Sequence, residues 1–397
     1  MKDDNTTKVL FAISNIAIGG GAEKVATTIA NEFLARGVAT TLLTYYSADA
    51  EHVFNGEHIS LKEPERHSLL GKLFRAPHRL WSIKKVCSEK DVDIVLSFLE
   101  ESNYYTLISK LLLFNRTRMI VSVRNDPRYY PWPYRMLICI LYPFAEKVVA
   151  VTKGVENILR EDFGLTNTTT IYNPINMSEV AKKIQAGLPH GYKWLTDRHP
   201  LFVTVGRCVR QKGQWHLIRA FTEVIRRYPN ATLVVVGEGP YKEAFLRYVR
   251  AQNLEKNIFF LDRQENIYPF LKIADTFVLP SLWEGMPNIL LEAASVGCRL
   301  VATDASTGAR EILAPKLPLT EKILYPYHAT YGTLIRPFPA EGNFEESLSS
   351  RTLSPEETQL AEAMVSISAD TKKAGVSFTK DPRFMLDNIT AEWLAVL

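Results

Sequence analysis

The chain has 397 residues, 46% of them hydrophobic and 23% charged, with a formal net charge of +4. That length suits two domains with full cores, and the mild basic excess fits anionic ligands or a membrane surface but is too small to argue for nucleic acid. Cys87, Cys139, Cys208 and Cys298 lie far apart without metal-type spacing, which reads as buried thiols in a reducing compartment. The first residues are polar and carry no secretory apolar stretch. The longest apolar run, residues 136–144, is too short to span a bilayer. The expectation is a cytoplasmic protein, at most peripheral to the inner face of a membrane.

Residues 8–14 form a short continuous apolar run, the mark of a strand buried in a parallel sheet. They lead into Gly19, Gly20, Gly21, Ala22, Glu23 and Lys24, and a helix is expected over 22–36, stopping at Gly37. Strand, glycine loop and helix make a turn that welcomes phosphate; the dinucleotide fingerprint Gly-x-Gly-x-x-Gly is absent. Residues 39–45 read as the second strand. Residues 47–85 read as irregular and hold Arg66, His67, Lys72, Arg75, His78, Arg79, Lys84 and Lys85. They form either a solvated basic face or a surface for anionic lipid or pyrophosphate. Strands at 93–98 and 119–123 flank a helix over 103–114. Arg124 and Asn125 follow at a strand's carboxyl end, where open α/β sheets bind ligands; Arg124 is either a ligand-binding residue or half of a structural salt bridge. Residues 129–144 are dense in aromatic and apolar side chains. The default there is a buried helix starting at Pro133, and the alternative is a membrane-facing wedge. Strands at 147–152 and near 170 close the first half.

The second half repeats the pattern. A strand at 201–205 runs into Gly206 and Arg207, then Lys212, Gly213 and a helix over 215–228. A strand at 232–236 ends in a glycine turn, and a strand at 258–261 leads to a loop with Gln264 and Asn266. Residues 276–279 form a strand entering Ser281, and Pro287 suits the first position of the helix that follows. Glu284 then sits on the loop and Glu292 about a turn and a half inside the helix, roughly 7 Å along its axis. Two carboxylates so placed could hold hydroxyls at two separated points of one elongated ligand. Gly285 lets that ligand approach the backbone, and the positive end of the helix favours a phosphate nearby. Each strand is followed by a helix, so both halves are βα alternations with parallel sheets. Arg207 and Lys212 supply one planar fork and one point charge, which suit a diphosphate. No Asp-x-Asp motif appears in the second half. Charge neutralisation would fall to these two residues and to helix N-termini, without a metal or cofactor.

The run Glu284, Gly285, Met286, Pro287, Asn288 with Glu292 resembles the signature of the retaining, nucleotide-sugar-dependent glycosyltransferases of family 4. Gly20, Gly21, Glu23 and Lys24 resemble the family's opening loop, and the likeness extends over nearly the whole chain. Many members carry a His near residue 124; Arg124-Asn125-Asp126-Pro127 instead resembles a branch that builds cell-surface polysaccharides. The resemblance implies the α/β GT-B fold, two Rossmann-like domains with parallel sheets facing a central cleft. The acceptor-side domain would span 1–176 and the nucleotide-sugar domain 177–378, with a helix over 379–397 returning to the first. Arg207 and Lys212 would grip the diphosphate, Glu284 the donor sugar and Glu292 the ribose. Gly206, Gly285, Met286, Pro287 and Asn288 would frame the donor, and Gln264 and Asn266 would lie on the loop that holds the base. Gly20, Gly21, Arg124 and Asn125 would line the acceptor side. The implied reaction is front-face retaining transfer of a hexose or N-acetylhexosamine, from a UDP-sugar or GDP-sugar, to a glycan or polyprenyl-diphosphate-linked acceptor. A UDP-sugar epimerase of the same fold and a silent nucleotide-sugar-binding subunit are the alternatives.

Overall fold

The structure is a computed structural model that describes residues 7–17, 20–46, 52–64, 69–305, 307–339, 352–369, 378 and 381–397. It divides into two compact units, Met1–Pro174 with Leu386–Leu397, and Ile175–Met385. In the first unit β1 (Lys8–Ile13), α1 (Gly21–Ala35), β2 (Ala39–Tyr46), β3 (Glu57–Glu63), α2 (Leu69–Glu89), β4 (Ile94–Phe98) and α3 (Glu100–Leu112) come first. They are followed by β5 (Arg118–Val123), α4 (Trp132–Leu141), β6 (Lys147–Ala150), α5 (Lys153–Glu161) and β7 (Thr168–Thr170). The strands form one parallel sheet in the order β3-β2-β1-β4-β5-β6-β7. The central strands are apolar at nearly every position because helices cover both their faces; Leu10, Phe11, Ala12, Ile94 and Val95 are wholly buried. Phe11 packs edge-on against Phe33 at 5.5 Å and stacks on Phe98 at 5.9 Å. The helix Leu386–Ala395 closes this core, with Trp393 5.4 Å from Phe98.

Three expectations for this unit need correction. Residues 47–85 are not irregular: β3 and most of α2 fall there, while Arg66 and His67 lie outside the described residues. Arg79 is interior, 1% exposed, between Glu63 at 2.6 Å and Glu101 at 2.7 Å. The rings of Tyr45, Tyr46 and Tyr105 surround its guanidinium at 4.9–5.0 Å, so two carboxylates and three π-faces compensate its burial. The second correction concerns residues 129–144. Helix α4 starts at Trp132 and buries Ile138 and Leu141, but Trp132 is 69% and Ile140 53% exposed. Third, Cys139 on α4 is exposed, whereas Cys87, Cys208 and Cys298 are buried as expected.

The second unit holds α6 (Met177–Gln185), β8 (Leu201–Val205), α7 (Gln214–Arg227), β9 (Thr232–Val236), α8 (Lys242–Ala251), β10 (Ile258–Leu261) and α9 (Tyr268–Ile273). Then come β11 (Thr276–Leu279), α10 (Asn288–Ser295), β12 (Arg299–Thr303), α11 (Thr307–Leu313), β13 (Tyr327–His328), β14 (Thr333–Ile335) and the helix Pro355–Ala369. The sheet order is β10-β9-β8-β11-β12-β14-β13, parallel except for the β13–β14 pair. Trp215, Phe221 and Phe202 build its core with Leu360 and Met364 from the helix Pro355–Ala369. The boundary expected at 176/177 falls after Pro174. The Ile175 amide donates to the Phe384 carbonyl at 2.7 Å, and Ile175 bridges Met385. Residues 381–385 accordingly go with the second unit, and the returning helix begins at Leu386, later than the expected 379.

Candidate functional site

In the second unit the chain moves outward from β8 through β9 to β10, then returns to lay β11 and β12 on the other side. The carboxyl ends of β8 and β11 therefore flank a topological switch point, where loops diverge and leave room for a ligand. The two loops that leave there are stitched together. Gln214 donates to the carbonyls of Gly206 at 3.0 Å and Arg207 at 3.2 Å. The Leu282 amide donates to the Gln211 carbonyl at 2.8 Å. Gly213 has φ +58°, and a Cβ there would stand 2.1 Å from the Pro280 carbonyl oxygen. Only glycine fits, because both the left-handed backbone and the close approach exclude a side chain.

The stitching brings Lys212 to Glu284. The ammonium lies 2.5 Å from Glu284 Oε1, and the Ser281 hydroxyl donates to the same oxygen at 2.9 Å. Gln211 reaches Glu284 Oε2 only at 3.5 Å, so that oxygen is weakly held. Both charged side chains are largely buried, at 18% and 9% exposure, and a pair so placed is strong because little solvent screens it. Arg207 stands exposed one residue past Gly206 and its side chain makes no ion pair among the described residues. Lysine, arginine and carboxylate thus share one rim of the sheet.

Helix α10 starts at Asn288 with Pro287 as its N-cap, one residue later than the expected start. Glu292 therefore sits about one turn in, roughly 6 Å from the first helical residue. It is 8% exposed and accepts from the Tyr268 hydroxyl at 3.3 Å. Burial, with Glu292 beside it, holds the Tyr268 phenol well above its ordinary pKa. Gly285 and Met286 are buried, and α11 packs against them: a Cβ on Gly308 would meet the Gly285 carbonyl at 2.1 Å. Gln264 donates to the Asp262 carbonyl at 3.0 Å. Asn266 donates to the Lys183 carbonyl at 2.7 Å and accepts from the Tyr268 amide. Its side chain is spent on joining α6 to the loop.

The remaining expected residues belong to the first unit. Gly20 is the N-cap of α1 and Gly21 its first residue; Gly19 lies outside the described residues. The Glu23 carboxylate folds over Gly20, with Oε2 2.0 Å from where a Cβ would stand. It places negative charge where a phosphate was expected. Arg124 is 6% exposed and hydrogen-bonds Ser122 Oγ at 3.2 Å and Asn173 Oδ1, with its guanidinium 5.6 Å from the Phe98 ring. No carboxylate stands within ion-pair distance of it among the described residues, so it is not half of a salt bridge. Burial pushes it down to about 9, against the pull of Glu100. Asn125 is half-buried beside Asp126, which caps the turn that follows through the Arg128 amide.

The model of the family described as Glycosyl transferases group 1 matches residues 193–326, and that of Glycosyltransferase Family 4 matches residues 19–179. An uncharacterized glycosyltransferase of Methanocaldococcus jannaschii is 32% identical over 351 residues, 84% of this chain and 86% of that protein. The chain belongs to the family 4 glycosyltransferases. The N-acetylgalactosamine-N,N'-diacetylbacillosaminyl-diphospho-undecaprenol 4-alpha-N-acetylgalactosaminyltransferase of Campylobacter jejuni is 27% identical over 64% of this chain and 69% of its own length. Among solved structures, Anabaena HepE in complex with UDP matches with a TM-score of 0.73 at 19% identity, covering 98% of this chain and 100% of that one. Sucrose-phosphate synthase from Thermosynechococcus elongatus matches with 0.73 at 18% identity over 98% of each. The fold of this glycosyltransferase is therefore GT-B.

Sequence reasoning missed four residues that partner or neighbour the candidate ones. Ser281 and Gln211 hold Glu284, and Tyr268 holds Glu292. In the first unit, Glu100 opens α3 immediately after β4 and accepts from the Tyr130 hydroxyl. Burial holds its carboxyl above the usual range. Leu99 before it has φ +70°, a backbone that costs a non-glycine residue roughly 1–3 kcal/mol. The position of Glu100 at a strand's carboxyl end was the one signal available.

Proposed function

We propose that the protein transfers a hexose or N-acetylhexosamine from a UDP-sugar to a glycan or polyprenyl-diphosphate-linked acceptor, with retention at the anomeric carbon and without a metal. The observation that carries this reading is the Lys212–Glu284 pair at the switch point, with Arg207 exposed beside it. Lys212 has three donors and gives one to Glu284, so it can take a phosphate oxygen without leaving its partner. Arg207 adds a fork for the second phosphate. Glu284 Oε2 is the oxygen left for a donor-sugar hydroxyl, and Glu292 accepts from the ribose. The acceptor oxygen bonds to the anomeric carbon as the bond to the β-phosphate oxygen breaks, and the acceptor's proton passes to that departing oxygen. Arg207 and Lys212 neutralise the charge that develops there. Relatives support the donor and acceptor classes: HepE binds UDP and UDP-glucose, and the Campylobacter jejuni transferases are named for diphospho-undecaprenol substrates. A lipid-linked acceptor would place the enzyme at a membrane surface, peripherally.

The test is release of UDP from a panel of UDP- and GDP-sugars, with and without a soluble glycan or short-chain prenyl-diphosphate acceptor, in the presence of EDTA. Release that requires acceptor, with an α-linked product from an α-linked donor, is the expected result. Interconversion of sugars without acceptor would identify an epimerase, and binding without turnover a silent subunit. Glu292→Gln is expected to weaken UDP itself. Glu284→Gln is expected to weaken the intact UDP-sugar and turnover while leaving UDP nearly unchanged.

A further inference from the structure

The sheet order of the first unit fixes where its helices go. The crossovers β3→β4, β4→β5 and β5→β6 all advance in one direction along the sheet, whereas β1→β2 advances in the other. Right-handed crossovers then put α2, α3 and α4 on one face and α1 on the opposite face. Helix α3 packs against both α2 and α4, so the three make one layer.

The outside of this layer is unlike the rest of the surface. Phe74 and Trp81 on α2 are 93% and 54% exposed, and Leu112 and Phe114 stand out at the end of α3. On α4, Ile138 and Leu141 anchor one edge in the core, and Trp132, Met136 and Ile140 run along the other at four-residue spacing. Such a row lies on one side of a helix. Among the described residues these three helices hold six of the twelve large hydrophobic side chains that face solvent, and Phe114 just past α3 makes a seventh, a cluster that a monomer's surface does not need.

Charge says what covers it. Residues 69–88, 102–118 and 127–145 contain no Asp or Glu; the acids of these helices stand at their ends, Glu89 closing α2 at 3.7 Å from Lys85 and Glu100 and Glu101 opening α3. Lys84, Lys85, Arg116 and Arg135 are exposed among the apolar side chains. A second copy of the same face would set cation against cation in a symmetric contact. An anionic bilayer offers the complementary charge together with an apolar interior, and tryptophan rings favour its boundary. No helix among the described residues is long and apolar enough to cross a membrane.

We infer that the α2–α3–α4 layer is a membrane-docking face that lies on anionic lipid, with Trp132, Met136 and Ile140 entering the headgroup boundary. This rests on the proposed lipid-linked acceptor only for its purpose; the contact itself follows from the surface.

Flotation with vesicles of phosphatidylglycerol and phosphatidylcholine, against phosphatidylcholine alone, tests it. The wild type is expected to float with the anionic vesicles and to release as salt is raised. Trp132→Ser/Met136→Ser/Ile140→Ser is expected to bind about tenfold more weakly or worse, with an unchanged melting temperature and full turnover of a soluble acceptor. Lys84→Glu/Lys85→Glu is expected to lose the preference for anionic vesicles. Brominated lipid is expected to quench wild-type fluorescence more than that of Trp132→Phe, a substitution mild enough to keep the fold. Equal flotation of the triple variant, no quenching difference, or a wild-type dimer that the triple variant converts to monomer would each overturn the inference. Flotation needs no turnover, so a failure of the transferase reading shows in the assay and not in the gradient.

Discussion

Arg207 and Lys212 carry the same charge on one loop but differ in their partners. Lys212 is already paired with buried Glu284, and Arg207 is exposed. Each is expected to contribute a charge-assisted bond to the diphosphate, so Arg207→Ala and Lys212→Ala should each weaken UDP by roughly 10- to 150-fold in calorimetric titration. Their effects on stability should separate. Arg207→Ala should stay within about 0.5 kcal/mol of wild type in urea melts. Lys212→Ala strands the Glu284 carboxylate and should cost more than 1 kcal/mol, approaching the ~3–5 kcal/mol of a broken buried pair. A second residue-scale expectation concerns acid. Burial raises the Glu357 carboxyl, but His216 at 2.7 Å, Arg219 at 2.9 Å and the Ser354 amide outweigh it and bring it below its ordinary 4.5. Its contribution to stability is therefore present above pH 4.5 and is lost as pH falls through the folded value. Glu357→Gln should flatten that limb of the stability profile measured by urea denaturation between neutral and acid pH. Arg207, Lys212, Glu284 and Glu292 could be singled out in sequence because diphosphates and sugar hydroxyls call for those residue types, and the structure brings Lys212 to Glu284. Tyr268 and Glu100 were not, since each is placed by a partner distant in the chain; Ser281 lies only three residues from Glu284, but a lone serine in a loop carries no signal of that bond.

Among the elements, the turn Arg210–Lys212 and the left-handed Gly213 after it carry the positioning. Gly213→Ala should cost about 1–3 kcal/mol from the backbone alone. It should also push the loop off the Pro280 carbonyl, so that calorimetry shows weaker UDP binding although no ligand contact has been removed. The strand–helix alternation was readable because the central strands are continuous apolar runs such as residues 276–279 and 232–236. Strand β3 escaped notice because it lies at the sheet's edge and only Glu63 in it is buried, so its sequence carries no apolar stretch. Helix α2 escaped because Pro77 sits inside it and Arg79, a core residue here, counts as polar in any periodicity. Helix α4 shows the reverse failure. Its apolar density left a buried helix and a membrane-facing wedge both open, with burial the default, because composition cannot distinguish a side chain packed against a neighbour from one left in solvent.

At the scale of the molecule, the first unit is discontinuous, begun by Met1–Pro174 and finished by Leu386–Leu397. Trp393 is 1% exposed against Phe98, and Trp393→Ala should cost ~3–5 kcal/mol as the cavity it leaves persists. Circular dichroism melts should show the loss in the first unit's transition, with the second unit's melting unchanged. The same closure sets an order on synthesis. When Pro174 emerges from a ribosome every strand of the first sheet has been made, but the side of Phe98 that Trp393 will cover is still bare. Another 211 residues, Ile175–Met385, must follow before the closing helix is available. At ~5–20 residues per second that is a wait of roughly 10–40 s. For that interval the nascent first unit is a nearly complete domain with an open apolar seam. A chaperone that binds nascent chains would find its opportunity there, and the second unit is free to fold before the first is sealed.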